Sequence, residues 1–355
     1  MQELDMNKIA EALVDEHCAR MTRKHKSKFR EFIAEISKSL GYESRVEDCF
    51  LAKNVVVGNP KEADIVLTAH YDTPPNMPFD FIMKQLIGIG AGSATMMGAG
   101  MFFTDHMLQY ATPENIDTMT NVAMGFNLVP LASLVAFSGM GLYSLGLLGG
   151  ENKKNYDDNT SGVLTLISLM NYYKNLPPEE KKRIAFVFFD NEEKGLVGSL
   201  CYRARHSLDG VTGKRKRLKD QNFINFDCVG VGKRVNLFYT GNKIKPVVKM
   251  VADSFETRAN ESGYSLNFKK SNMNSMSDHI SFIGTKGNVM ILCDDEGDKI
   301  TNHIHSKKDT RLVLDNIGLI SDVSADAINK ILGIEEKEYC LNRSVFDVSG
   351  TLSFE

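Results

Sequence analysis

The chain has 355 residues and almost no signature of the commoner site chemistries. None of its six cysteines falls in a C-x-x-C pair. They are spread along the whole chain as Cys18, Cys49, Cys201, Cys228, Cys293 and Cys340. That spacing excludes a cysteine zinc finger and argues against a disulfide framework, so reduced thiols of a cytosolic protein are the expectation. Net charge is only -3, which gives no reason to expect a polyanion partner, and no nucleic-acid binding is expected. No G-x-S-x-G elbow follows an expected strand, which disfavours a serine hydrolase. The glycine-rich stretches lack the Gly-Lys-Ser/Thr ending of a phosphate loop. The N-terminal stretch is charged from its third residue and has no apolar h-region, so no signal peptide is expected there.

What remains is a chain with 43% hydrophobic and 25% charged residues, enough for a sizeable core. Ile9, Leu13 and Cys18, then Phe29, Phe32, Ile33 and Ile36, recur at helical spacing. One or two amphipathic helices are expected over residues 1–40, with the charges between them forming a solvated face. Further on, short apolar runs read as buried strands at 64–69, 184–189, 223–226, 235–239 and 288–292. Helical periodicity covers about 160–174, 195–206, 245–261 and 311–332. This alternation predicts an α/β domain with a largely parallel sheet, whose sites gather beyond the carboxyl ends of strands.

Polar groups sit at those ends. The first expected strand runs into His70-Tyr71-Asp72, the second into Asp190-Asn191-Glu192-Glu193, and the third into Asp227. Asp157-Asp158-Asn159 opens one helix, and His303-Ile304-His305 precedes another. Carboxylates and imidazoles converging from several strand ends suit a metal site with mixed oxygen and nitrogen ligands. Two metals about 3.5–4 Å apart, bridged by a carboxylate, can bind substrate and activate water together.

The motifs AHYDT, DDNTSG, FFDNEEKGLVGS, NFD and HSKKDT resemble those of the zinc aminopeptidase family of co-catalytic dizinc exopeptidases. That family includes bacterial leucyl aminopeptidases, aminopeptidase Y and glutamate carboxypeptidase. The resemblance covers about residues 60–75 and 155–330. It implies a three-layer α/β/α exopeptidase fold with a mixed, mostly parallel sheet. It implies two Zn2+ per chain: His70 and Asp227 on one, Glu193 and His305 on the other, and Asp158 bridging both. Glu192 would be the general base acting on a hydroxide shared by the ions. Asp72 would orient His70, and the Asp158–Asn159 bond would be cis. His303 competes with His305, which is preferred because it stands directly before S-x-x-D-T. Tyr71 and Asp278, the latter in Ser277–Phe282, are weaker candidates for substrate contact. Some members carry a tyrosine where this chain has Asn274. The implied activity is that of an aminopeptidase acting on peptides with a free N-terminus. The alternatives are a carboxypeptidase or amidohydrolase of the same fold, or a non-catalytic membrane-anchored interaction module.

One region breaks the pattern. Residues 85–103 and 118–150 carry no charge or histidine, and each is long enough to cross a bilayer. Lys84, Lys153 and Lys154 flank them, and the linker between them is acidic. A hydrophobic helical hairpin inserted at 81–150, between catalytic segments 1–80 and 151–355, is expected. Its charges predict a membrane-associated protein with the catalytic domain facing the cytoplasm. A soluble cytoplasmic lid, or a dimerisation hairpin in a homo-oligomer, is the alternative. Lys214–Lys219 is a further basic run that suits anionic headgroups or a solvated loop.

Overall fold

The computed structural model describes residues 4–49, 51–75, 112, 151–209, 218–272, 275–298 and 300–335. The chain divides into two compact units, Met1–Pro74 with Asn152–Glu355, and Pro75–Glu151. In the second unit, Pro75 and Glu151 pair as an antiparallel bridge. The apolar stretches 85–103 and 118–150, Asn274 and the basic residues 214–217 lie outside the described residues. Among the described residues, no helix is long and apolar enough to cross a membrane.

The first unit opens with two helices, α1 (Met6–Asp15) and α2 (Arg23–Ser39). Asp5 caps α1 by accepting from the N–H groups of Asn7 and Lys8, and Thr22 caps α2 through the N–H of His25. The apolar spacing read from the sequence becomes the buried faces Met6, Ala10, Leu13, Val14 and Phe29, Ile33, Ile36. The solvated-face expectation fails at two residues. Arg20 is fully buried and Lys26 is 5% exposed. Both turn inward because their charged ends find buried oxygens, as described below.

Eight strands form one sheet: β1 (Ser44–Cys49), β2 (Ala52–Val57), β3 (Ile65–His70), β4 (Ile184–Phe189), β5 (Asn222–Phe226), β6 (Arg234–Tyr239), β7 (Ser265–Lys270) and β8 (Gly287–Asp294). Their spatial order is β1-β2-β4-β3-β5-β8-β6-β7. Strands β4, β3, β5 and β8 are mutually parallel. β2 and β6 flank this block antiparallel. Every residue of β3, β4 and β5 is buried, as central strands covered on both faces require. Side-chain alternation then splits the core in two. Ile65, Leu67, Phe186, Phe188 and Ile224 join the larger cluster, and Val66, Ala185, Val187, Phe189 and Phe223 the smaller. Helix α3 (Gly162–Tyr172) packs on β3 and β5, and α4 (Val197–Asp209) packs on β2. Helices α5 (Pro246–Glu261) and α6 (Leu314–Leu332) pack on each other. The result is the expected α/β/α layering with a mixed, mostly parallel sheet.

The cysteine expectation needs correction. Cys49 at the end of β1 and Cys201 in α4 form a disulfide, with Cα atoms 6.4 Å apart. Their sequence separation of 152 hid the pairing, which the β1–α4 packing creates. Cys18, Cys228 and Cys293 are free thiols, and Cys340 lies outside the described residues.

Candidate metal centre

Three neighbouring parallel strands end side by side, and each delivers a polar group. β3 ends in His70, β4 leads into Asp190–Glu193, and β5 leads into Asp227. The order β4-β3-β5 therefore sets the carboxylates on either side of the imidazole. Asp158 arrives on a wide turn, Tyr156–Ser161, that feeds into α3. His305 arrives from the loop before α6, with a left-handed φ of 57°.

Asp158 lies between the two histidines. Its Oδ1 is 3.3 Å from His70 Nε2, and its Oδ2 is 2.8 Å from His305 Nε2. Asp227 Oδ1 is 3.6 Å from His70 Nε2, and Glu193 Oε2 is 3.4 Å from His305 Nε2. His70, Asp158 and Glu193 each offer a ligand atom within 4.8 Å of the others, and so do Asp158, Asp227 and Cys228. The two groups share Asp158. His303, the competing candidate, instead contacts Asp298 at 2.6 Å.

The turn carrying Asp158 is held from three directions. Asp309 accepts the backbone N–H groups of Asp157 and Asp158 at 2.8 and 3.0 Å. The Asn159 side chain donates to the Phe226 carbonyl at 3.0 Å and accepts from Gly162 N–H at 3.0 Å. Arg20 donates to Thr160 Oγ1 at 3.0 Å and to the Tyr71 carbonyl. The Asp158–Asn159 peptide is cis.

Asp72 serves two neighbours. His70 Nδ1 is 3.1 Å from the Asp72 backbone oxygen and 3.7 Å from its Oδ1. That same Oδ1 accepts the Glu192 N–H at 2.9 Å. Lys26 reaches Asp190 and Asn191 on the loop leading to Glu192. Tyr71, a weaker substrate-contact candidate, has its hydroxyl taken by Arg30 and the Lys53 carbonyl, and its ring stacks on Phe29. Asp278 is fully buried.

Charge at the site is out of balance. Burial acts to lower His70, but Asp158, Asp227 and Asp72 raise it well above the usual imidazole range. Burial acts to raise Asp158, yet His305 and then His70 pull its carboxyl far down. For Asp72 burial also acts upward, and the Lys26 charge, followed by His70, leaves it lowered. The other carboxyls go the opposite way. Burial, with His305 opposing and Asp158 adding, puts Glu193 at about 8. Burial likewise lifts Glu192 well above its ordinary value, against His70 and with Glu193. Asp278 rises to about 7, chiefly by burial.

Two observations test whether divalent cations fit. Asp158 Oδ1 and Glu193 Oε1 are buried and accept no hydrogen bond. Orphaned carboxylate oxygens are costly inside a protein unless a cation or donor meets them. The donor set of imidazole nitrogens and carboxylate oxygens suits zinc and similar borderline ions. The residues therefore fit a two-metal group.

Such a sheet gathers acidic and imidazole groups at adjoining strand ends. The chain belongs to peptidase family M28, whose sequence model matches residues 149–326. Among curated proteins, no sequence matches the chain. Solved structures share the fold. The LapA aminopeptidase of Legionella pneumophila superposes with a TM-score of 0.57 at 12% identity, covering 94% of this chain and 72% of that one. A leucine aminopeptidase precursor from Bacteroides thetaiotaomicron gives 0.55 at 15%, covering 94% and 97%. A glutaminyl cyclase from the same organism, bound to N-acetylhistamine, gives 0.57 at 14%, covering 95% and 99%. These likenesses show the fold, and that fold is not confined to peptidases.

Proposed function

We propose that this protein is a zinc-dependent aminopeptidase with two metal positions that share Asp158. The observation that carries the reading is the placement of one Asp158 oxygen toward each histidine. His70 and Asp227 would hold one ion, and Glu193 and His305 the other. When bound, the ions supply an acidified water and a Lewis acid for the scissile carbonyl. Glu192 would take a proton from the attacking water on its carboxylate and pass it to the leaving amine. Burial, opposed by His70 and aided by Glu193, raises its affinity for protons, which suits a general base. Asp72 positions two partners at once, His70 through its carbonyl and the Glu192 backbone through its carboxylate. Asp278 is a buried carboxyl raised to about 7, and when ionised its charge adds to the rise at Glu192.

The test is hydrolysis of aminoacyl chromogenic amides, with and without chelator, alongside metal content. Glu192→Gln should keep its metal and lose about 10²–10⁴-fold in turnover. Near-normal turnover in that variant would remove the base assignment. Release of residues from N-acetylated peptides would make it a carboxypeptidase. Cyclisation of N-terminal glutamine without chain cleavage would move it to the other chemistry found on this fold.

The insert adds a second element to the reading. Residues 81–150 would form a hydrophobic hairpin associated with a membrane, or the contact surface of a homo-oligomer. Lys84, Lys153 and Lys154 favour a catalytic unit on the cytoplasmic side. The Cys49–Cys201 pair pulls the other way, because disulfides persist in oxidising compartments. Membrane flotation of the full chain, with thiol labelling from each side, separates these outcomes.

A further inference from the structure

Two buried cations from the N-terminal segment reach the ligand-bearing loops, and they divide the work. Arg20, between α1 and α2, donates to the Tyr71 carbonyl and to Thr160 Oγ1, and its backbone N–H donates to Thr73 Oγ1 at 2.9 Å. It ties together the loops that carry His70 and Asp158. Lys26, in the first turn of α2, makes its hydrogen bonds to neither loop, and only its charge reaches Asp72 beside His70. Its Nζ donates to Asp190 Oδ1 and to Asn191 Oδ1, each at 2.5 Å. The other Asp190 oxygen accepts the Lys53 N–H of β2 at 2.9 Å, and the Asn191 Nδ2 donates to the Leu51 carbonyl.

Asn191 is the hinge of this arrangement. Its φ is 57°, a left-handed conformation that a residue with a Cβ adopts at some cost. That turn takes the chain from β4 into Glu192 and Glu193. The Asn191 side chain is gripped at its oxygen by Lys26 and at its nitrogen by Leu51. The Lys26–Asp190 pair is itself nearly dry, with side-chain exposures of 7% and 6%. Removing one member of a buried pair leaves the other uncompensated, so the loop would shift to reach water. His70, by contrast, ends a central strand bonded on both sides.

We propose that Lys26 is a positioning residue chiefly for one metal position, the one built on Glu193 and His305, and that it sets the affinity there far more than at the position built on His70 and Asp227, which it reaches only through its charge on Asp72. This rests on the two-metal reading above. Outer-shell partners that orient ligands usually change metal affinity about 10–100-fold, and the same range is expected here.

The experiment is calorimetric titration of Zn2+ into metal-stripped, full-length protein. The wild type should give two binding events. Lys26→Met should weaken one of them about 10–100-fold and the other much less. Glu193→Gln should abolish the event that Lys26→Met weakens, which assigns it. Lys26→Arg, which keeps the charge, should restore most of the affinity. A general loss of structural integrity would weaken both events together. Equal weakening of both, or of neither, in a protein that binds two ions overturns the inference and leaves the two-metal reading standing. A wild type that binds fewer than two ions overturns both. If circular dichroism finds Lys26→Met unfolded, Asp190→Asn takes its place, with the same selective loss expected and the same outcomes decisive.

Discussion

The carboxylate of Asp72 accepts the backbone N–H of Glu192 at 2.9 Å, across the junction between β3 and β4. One side chain thereby fixes the spacing between the His70 end of β3 and the Glu192–Glu193 loop. Asp72→Asn keeps an acceptor for that N–H but removes the charge beside His70. The expected result is metal affinity weaker by about tenfold, with a parallel loss of turnover. Asp72→Ala, which removes the acceptor as well, should lose more. Metal analysis after dialysis against graded zinc buffers measures this, and equal behaviour of the two variants would contradict it.

Metal binding should depend on pH with a definite sign. Glu193 sits at about 8 through burial, with His305 opposing and Asp158 adding. Its carboxyl is therefore protonated at neutral pH in the metal-free protein and must shed that proton when an ion takes its place. Affinity should rise with pH through about 8, and further as His70, also raised, gives up its proton. Titrations in buffers of different ionisation enthalpy report the released proton directly. Affinity independent of pH below 8 would contradict the assignment.

Gly162 allows the bridging turn to lie against β5. A Cβ there would come within 2.5 Å of the Phe226 carbonyl and also meet the Asn159 side chain. Both groups are backbone-anchored beside Asp158 and Asp227, so neither can yield cheaply. Gly162→Ala should lower stability by about 1–3 kcal/mol and weaken metal binding as well. Thermal melts with and without zinc would register both effects.

Acid should loosen the edge of the sheet. Burial acts to raise Glu47, but His206 at 2.9 Å and then Arg45 hold it at about 2, below its ordinary 4.5. A depressed folded-state value means stabilisation that is complete above about 4.5 and lost as pH falls toward 2. The contribution is at most about 3 kcal/mol. Glu47→Gln should flatten this part of the pH–stability curve, and an unchanged curve would exclude the pair as its source.

Much of this arrangement was legible in the chain because the central strands are continuous apolar runs that end abruptly in His, Asp or Glu. His70, Glu193 and Asp227 follow such strand ends, Asp158 lies on the turn into α3 and His305 in the loop before α6, and the fold gathers them. The edges were not legible. β1 reads Ser-Arg-Val-Glu-Asp-Cys and β7 reads Ser-Leu-Asn-Phe-Lys-Lys, polar edge strands in which Arg45, Asp48, Lys269 and Lys270 face solvent while Glu47 is buried. Lys26 sits among Arg23, Lys24 and Lys28, and nothing local distinguishes it from a surface lysine. Only the partner far along the chain, Asp190, makes it a buried one. Asp309 was visible as part of a motif, yet its grip on the Asp157 and Asp158 amides needed coordinates.

Pro75 and Glu151 are bridged where the polypeptide departs from the first unit and comes back. With its two chain ends paired there, the intervening segment can change in length and sequence without moving either end. Replacing residues 76–150 with a short flexible tether should therefore leave a first unit that still folds and still takes up zinc.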